Sequence, residues 1–176
     1  MSKLDSVLQE NIRITAQVIT EICQRNTRKQ VGDNPLTRNQ CYILKILANS
    51  GDFLISELAK ILDISAAATS KNIDRLEQQG LVKRQAHSGD RRSQIVTLSP
   101  QGRKLENEIQ QITTQKMAPL LAQFTEDEKK SLLDYLRRIV IYTIADENNT
   151  DLICLQCGGR CGDDCLLESC KGICQR

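Results

Sequence analysis

The sequence predicts a mainly α-helical fold carrying one small β-hairpin. Three observations predict it. Two short amphipathic segments are joined by a turn of only a few residues, two β-like runs are separated by a polar, glycine-containing loop, and long helical-period segments lie on either side of both. At 176 residues the chain has the length of one compact domain with an appendage. Hydrophobic residues at 40% and charged residues at 26% are an ordinary globular balance, which excludes a mostly disordered chain. No apolar run reaches the roughly 18 residues of a membrane helix. Met1 to Gln24 lacks the apolar core of a secretory signal, so the expectation is a cytoplasmic protein with no membrane partner.

The elements follow in order. Leu4, Leu8, Ile12, Ile19, Ile22 and Cys23 recur at helical spacing over 4–24, and Val31-Gly32-Asp33-Asn34-Pro35 breaks that helix. Thr37 is an N-cap for a second helix through Cys41, Leu44, Ile46 and Leu47, stopped at Ser50-Gly51. A short third helix spans about 55–62, with Leu58, Ala59 and Leu62 inward. Asp63-Ile64 turn the chain, and Ser65 caps a fourth helix over about 66–79 that Gly80 ends. Two helices this close have helix-turn-helix spacing. Leu81–Gln85 and Ser93–Leu98 then read as strands, and residues 86–92 between them make a hairpin with a basic tip. Pro100 opens a long helix through Leu105, Ile109, Ile112, Leu120 and Leu121, which Pro119 is expected to kink. Thr125 and the acids Glu126, Asp127 and Glu128 start the last helix, through Leu132, Leu133, Leu136, Ile139 and Val140.

Charge placement points to a nucleic acid. The total is only +2, yet Lys71, Arg75, Lys83, Arg84, Arg91 and Arg92 fall within 71–92 against three acids. A recognition helix must offer small or polar side chains to sink into a major groove about 12 Å wide. Ser65, Ala66, Ala67, Thr69, Ser70, Lys71 and Asn72 are such residues, in the N-terminal half where groove readers sit, and Ile73 and Leu76 turn to the core. Six basic contacts in each of two subunits would make binding steeply salt-dependent. The absence of Trp, with only three Tyr and two Phe, argues against base stacking on single strands. A lone histidine, His87, excludes His-pair catalysis and reads as a wing-loop residue. Cys23 and Cys41, on apolar helix faces, read as small hydrophobes of the core. No nucleophile–base pair or phosphate loop is visible, so no catalysis is expected.

The stretch Ser65–Arg84, followed by Asp90-Arg91-Arg92-Ser93-Gln94-Ile95-Val96-Thr97-Leu98-Ser99-Pro100-Gln101-Gly102, resembles the MarR family of winged helix-turn-helix transcription regulators. The resemblance covers residues 5–145, and its most specific part is the Asp-Arg-Arg wing tip followed by the Leu-Ser-x-x-Gly helix start. It implies a homodimer on a palindromic double-stranded operator. Residues 1–148 would form the winged domain, with a DNA lobe at 37–99 and dimerisation helices at 4–28 and 100–146. It further implies that Arg91 or Arg92 enters the minor groove while Asp90 orients an arginine. With Arg75 and Arg84, the expected DNA-binding set is then Ser65, Ala66, Thr69, Ser70, Lys71, Asn72, Arg75, Arg84, Asp90, Arg91 and Arg92.

Six of the eight cysteines crowd the tail at 149–176: Cys154, Cys157, Cys161, Cys165, Cys170 and Cys174. In a reducing compartment such a cluster is read as a metal or redox site before a disulfide set. Structural zinc takes two separated Cys-x2-Cys knuckles, and only one is present. Closely spaced thiolates in a single run suit an iron–sulfur cluster, and four ligands serve a [4Fe-4S] cubane. The expected ligands are Cys154, Cys157 and Cys161 with one of Cys165, Cys170 or Cys174. Zinc and a bare thiol–disulfide switch stand as alternatives, and a cluster-bearing electron carrier is the rival to a regulator. With this tail the chain is similar to oxygen-responsive, cluster-carrying MarR-type regulators, which implies control of operator binding by oxygen, iron or redox poise.

Overall fold

The computed structural model describes residues 2–23, 35–87 and 90–144; at 22, 23, 87, 90–93 and 144 it describes the backbone without the side chain. Seven described helical segments and three strands follow one another in the order α1 (Lys3–Val18), a π-type turn (Ile19–Cys23), α2 (Arg38–Ser50), β1 (Phe53–Leu54), α3 (Ile55–Leu62), α4 (Ala66–Gln78), β2 (Val82–His87), β3 (Asp90–Leu98), α5 (Pro100–Leu121) and α6 (Glu126–Ile144). The expected mainly α fold with a β-hairpin wing is the observed one.

Capping chemistry sets the helix starts. The Thr37 hydroxyl accepts from the Gln40 amide at 3.3 Å while the Gln40 side chain accepts from the Thr37 amide at 2.8 Å. Two orphan donors are thereby satisfied at once. Ser65 Oγ accepts from Ala68 N–H at 3.2 Å, and Ser99 Oγ from Gly102 N–H at 2.9 Å, with Pro100 in the first turn of α5. Helix ends are equally local. Asp63 closes α3 in the left-handed region at φ 51°, and Gly80 follows α4 at φ 70°. Helix α5 runs through Pro119 and stops at Leu121. A proline so close to the end removes a hydrogen bond that the helix has little length left to miss.

The strands form one antiparallel sheet in the order β1-β3-β2. The two-residue β1 was not legible in the sequence: Phe53 pairs with Val96 and Leu54 with Ile95, across the lobe. In the hairpin Val82 faces Leu98 and Arg84 faces Val96, with an irregularity between Ala86 and His87. Ile43, Leu44, Ile46, Leu47, Leu58, Ile73, Leu76, Val82 and Val96 are buried, so the core lies between α2, α3, α4 and the sheet. Ile61 joins that core, whereas Leu62, expected inward, is only partly buried against it. Cys41 packs against the same core; the Cys23 side chain lies outside the described residues.

Helix α5 joins the lobe at a tight seam. Ser99 donates from N–H to the Leu81 carbonyl at 3.0 Å and from Oγ to the Gly80 carbonyl at 2.6 Å. Gly102 passes so near that a Cβ there would stand 2.1 Å from the Leu81 oxygen. Arg103 reaches across to the Ala48 carbonyl at 3.1 Å, near the end of α2. The Leu-Ser-x-x-Gly pattern is thus a joint between the long helix and the turn that follows α4.

The outer helices contrast with the lobe. Helix α1 buries none of its residues, and Leu4, Val7, Leu8, Ile12 and Ile14 are exposed along it. Leu133, Leu136, Ile139 and Tyr142 are exposed on α6. No helix among the described residues is long and apolar enough to cross a membrane.

Candidate nucleic-acid interface

Helix α4 stands on the lobe with one flank sunk into the core. Thr69, Ile73 and Leu76 are fully buried at i, i+4 and i+7, which fixes the rotation of the helix and leaves Ala66, Ala67, Lys71, Asp74, Arg75 and Gln78 exposed. The small side chains lie at the N-terminal end of that exposed surface and the cations further along. The turn Asp63–Ser65 separates α3 from α4, giving a helix-turn-helix.

The expected site residues divide accordingly. Ala66, Lys71 and Arg75 are exposed on α4, and Ser65 is exposed at its cap. Ser70 and Asn72 are partly buried, and the Asn72 amide donates to the Ala68 carbonyl at 3.0 Å. Thr69 is a correction: its side chain is fully buried and its hydroxyl donates to the Ser65 carbonyl at 3.1 Å, so it faces the core and presents nothing to a groove. The 69–73–76 spacing was the available signal.

Arg84 is placed differently from the other cations. Strand residues alternate between faces, so Arg84 shares the inward face of Val82 while Lys83 points outward and is exposed. Its guanidinium bridges to the Asp74 carboxylate, donates to the Ser70 carbonyl at 3.1 Å, and sets Nε 3.4 Å from Glu77 Oε2. Its backbone N–H adds a bond to Glu77 Oε1 at 3.2 Å. The Arg84 side chain is 18% exposed, against 50% for Asp74 and 42% for Glu77. Asp74 and Glu77 were absent from the expected site.

The backbone of Asp90, Arg91 and Arg92 opens β3, next to the hairpin turn, and their side chains lie outside the described residues. Cys154, Cys157, Cys161, Cys165, Cys170 and Cys174 also lie outside them. Among the described residues no three His, Cys, Asp or Glu side chains gather as a metal site.

A family model described as "MarR family" matches residues 34–93, from the start of α2 into the wing. An uncharacterised HTH-type transcriptional regulator of Bacillus subtilis, YwhA, is 29% identical over 98 residues, covering 56% of this chain and 70% of the relative. The HTH-type transcriptional repressor MdtR of the same organism is 26% identical over 121 residues, covering 69% and 78%. The structure of a MarR family protein from Bacillus stearothermophilus superposes with a TM-score of 0.69 at 22% identity, over 81% of this chain and 98% of that one. Both of these Bacillus subtilis relatives are described as HTH-type transcriptional regulators or repressors.

Proposed function

We propose that this chain, whose fold is like that of a MarR family protein, is a DNA-binding transcriptional regulator, that it works as a homodimer on a palindromic operator, and that an iron–sulfur cluster on its C-terminal cysteines sets how well the two lobes dock. The observation that carries the DNA reading is the exposed surface of α4, small at its N-terminal end and cationic at Lys71 and Arg75, on a helix rotationally fixed by three buried residues. Such a helix enters a major groove, and cations beside it meet phosphates.

Pairing of two subunits accounts for the outer helices. Isolated exposed apolar residues need no explanation, but a helix such as α1 with an apolar stripe and nothing buried has no reason to stay folded in water alone. A second copy offers the same stripe, and a two-fold pair of such helices buries both. Two lobes must then sit one DNA turn apart, about 34 Å, to dock together.

The cluster reading takes its support from donor chemistry alone. Soft thiolates in one run favour iron–sulfur over hard cations, and Cys154, Cys157 and Cys161 with one of Cys165, Cys170 or Cys174 would hold the group. When bound, it would supply a centre that oxidants or iron shortage dismantle. The tail follows α6 in sequence, and a cluster whose contacts differ between two dimer states would shift their populations.

Gel shifts on a duplex from the DNA upstream of this chain's own gene test the DNA reading, with salt-sensitive retention expected. An anaerobic absorption spectrum with metal analysis tests the cluster. Brown protein bleached by Cys154→Ala supports it; colourless protein with one zinc per chain replaces it with a zinc-held tail, and colourless metal-free protein with a thiol switch.

A further inference from the structure

Helix α4 carries two carboxylates, Asp74 and Glu77, on a surface that must approach a polyanion if the DNA reading is right. Asp74 follows Ser70 by one turn and Glu77 by two, so the three line one flank of the helix. That flank faces β2, where Arg84 meets all three residues. An unpaired carboxylate here would repel phosphates by several times the thermal energy at short range. A guanidinium fork held against the two acids removes most of that field, and its planar geometry fixes the distance between strand and helix as well.

We propose that Arg84 is a positioning residue and not a phosphate contact: it screens Asp74 and Glu77 from the nucleic acid and ties the wing to the recognition helix. The inference rests on the DNA-binding reading. The electrostatics of the lobe change with it. Of the six cations within 71–92, Arg84 is committed inside the protein, and its low exposure leaves it little surface to offer a phosphate. The wing enters the same arrangement, because β2 pairs with β3 without a break from Val82–Leu98 to Ala86–Gln94, so a shift of Arg84 relative to α4 carries that part of β3 with it.

The test is a double-mutant cycle on duplex binding, read by fluorescence anisotropy with a labelled mixed-sequence duplex across a range of salt. Arg84→Met keeps the stem and removes the fork; Arg84→Lys keeps the charge without it. Asp74→Asn with Glu77→Gln removes what Arg84 screens. Positioning predicts that Arg84→Met weakens binding about tenfold in the native background and under twofold once both acids are neutral. The slope of log affinity against log salt stays unchanged. Arg84→Lys is expected to lose about threefold, since a single ammonium does not span both acids. Circular dichroism on each variant confirms that it has folded, and the Lys and acid-neutral variants carry the test if Arg84→Met has not.

A phosphate-binding role predicts otherwise: Arg84→Met lowers the salt slope by about 0.9 for each phosphate left without its cation, costs as much or more when the acids are neutral, and Arg84→Lys binds as the native chain. That pattern, or native affinity in Arg84→Met, overturns the proposal while leaving DNA binding standing. Native protein that retains no duplex at any salt overturns the DNA reading itself, and the proposal with it.

Discussion

Replacing Gly102 with Ala tests whether the joint between α5 and the lobe is as tight as its geometry implies. The added Cβ would stand 2.1 Å from the Leu81 carbonyl oxygen and 2.8 Å from Leu98 Cδ1. Carbon and carbonyl oxygen rest at about 3.3 Å, so the backbone must open by about 1 Å. The obstacle is main chain, which cannot swing aside as a side chain can. Overpacking of this kind costs about 1–3 kcal/mol. Opening the seam also stretches the 3.0 Å bond from Ser99 N–H to that same carbonyl, which adds about 1 kcal/mol. A loss of about 2–4 kcal/mol lowers the melting temperature of a chain this size by roughly 4–16 °C. Gly80→Ala is the control. There the cost is a left-handed backbone at φ 70°, about 1–2 kcal/mol, and the nearest atom is the movable Gln101 Oε1 at 3.2 Å. Thermal unfolding followed by circular dichroism, at one fixed protein concentration, should rank native above Gly80→Ala above Gly102→Ala. A Gly102→Ala melt within about 2 °C of native, or above Gly80→Ala, would refute the reasoning.

Three further outcomes are expected. Glu replacing Leu8 and Ile12 together should halve the mass measured by light scattering while leaving the lobe folded; an unchanged mass would exclude α1 from the interface. The Asp5 and Glu128 carboxyls are held below the usual carboxylate range, each first by the backbone N–H of its capping partner, Ser2 and Thr125. A depressed folded pKa contributes stability above the unfolded value and loses it as pH falls through the folded one. Helicity should therefore drop in acid below the ordinary carboxylate pKa, and Glu128→Gln should flatten that drop; an acid titration by circular dichroism with identical curves would contradict it. Arg91→Ala should weaken binding to most duplexes alike and lower the salt slope by about 0.9 for each phosphate that Arg91 neutralises, and an unchanged slope would remove Arg91 from the phosphate-binding set.

Local chemistry made most of the fold legible. Thr37, Ser65 and Ser99 each precede a helix and cap it in the structure, and Gly80 ends α4 in the left-handed conformation its sequence position suggested. What stayed hidden is non-local. Strand β1 is two residues long and exists because Phe53 meets Val96, a pairing with no trace in either stretch alone. The closeness of Gly102 to Leu81 depends on a helix docking against a turn 21 positions upstream in the chain.

Which side chains α4 exposes was legible from helical phase, and was missed where polarity was read instead. Ala66, Lys71 and Arg75 lie where their helical phase puts them, whereas Thr69 was grouped with them by polarity when its phase matches Ile73 and Leu76. A threonine can enter a core because its hydroxyl bonds back to the preceding turn, here to Ser65. Arg84 carried a signal that period-two reading contains: it shares a strand face with buried Val82, and a cation on that face needs an acid to meet it. Asp74 and Glu77 supply it from another element.

One measurement tests the proposed control of DNA binding most directly. Retention of the upstream duplex is compared for anaerobically prepared protein, the same protein after treatment with an iron chelator, and the same protein after air exposure. Binding in all three that falls with rising salt, with midpoints at least about tenfold apart between the first preparation and the other two, is the predicted result. Identical midpoints would contradict control by the cysteine tail, and no retention in any preparation would contradict DNA binding itself.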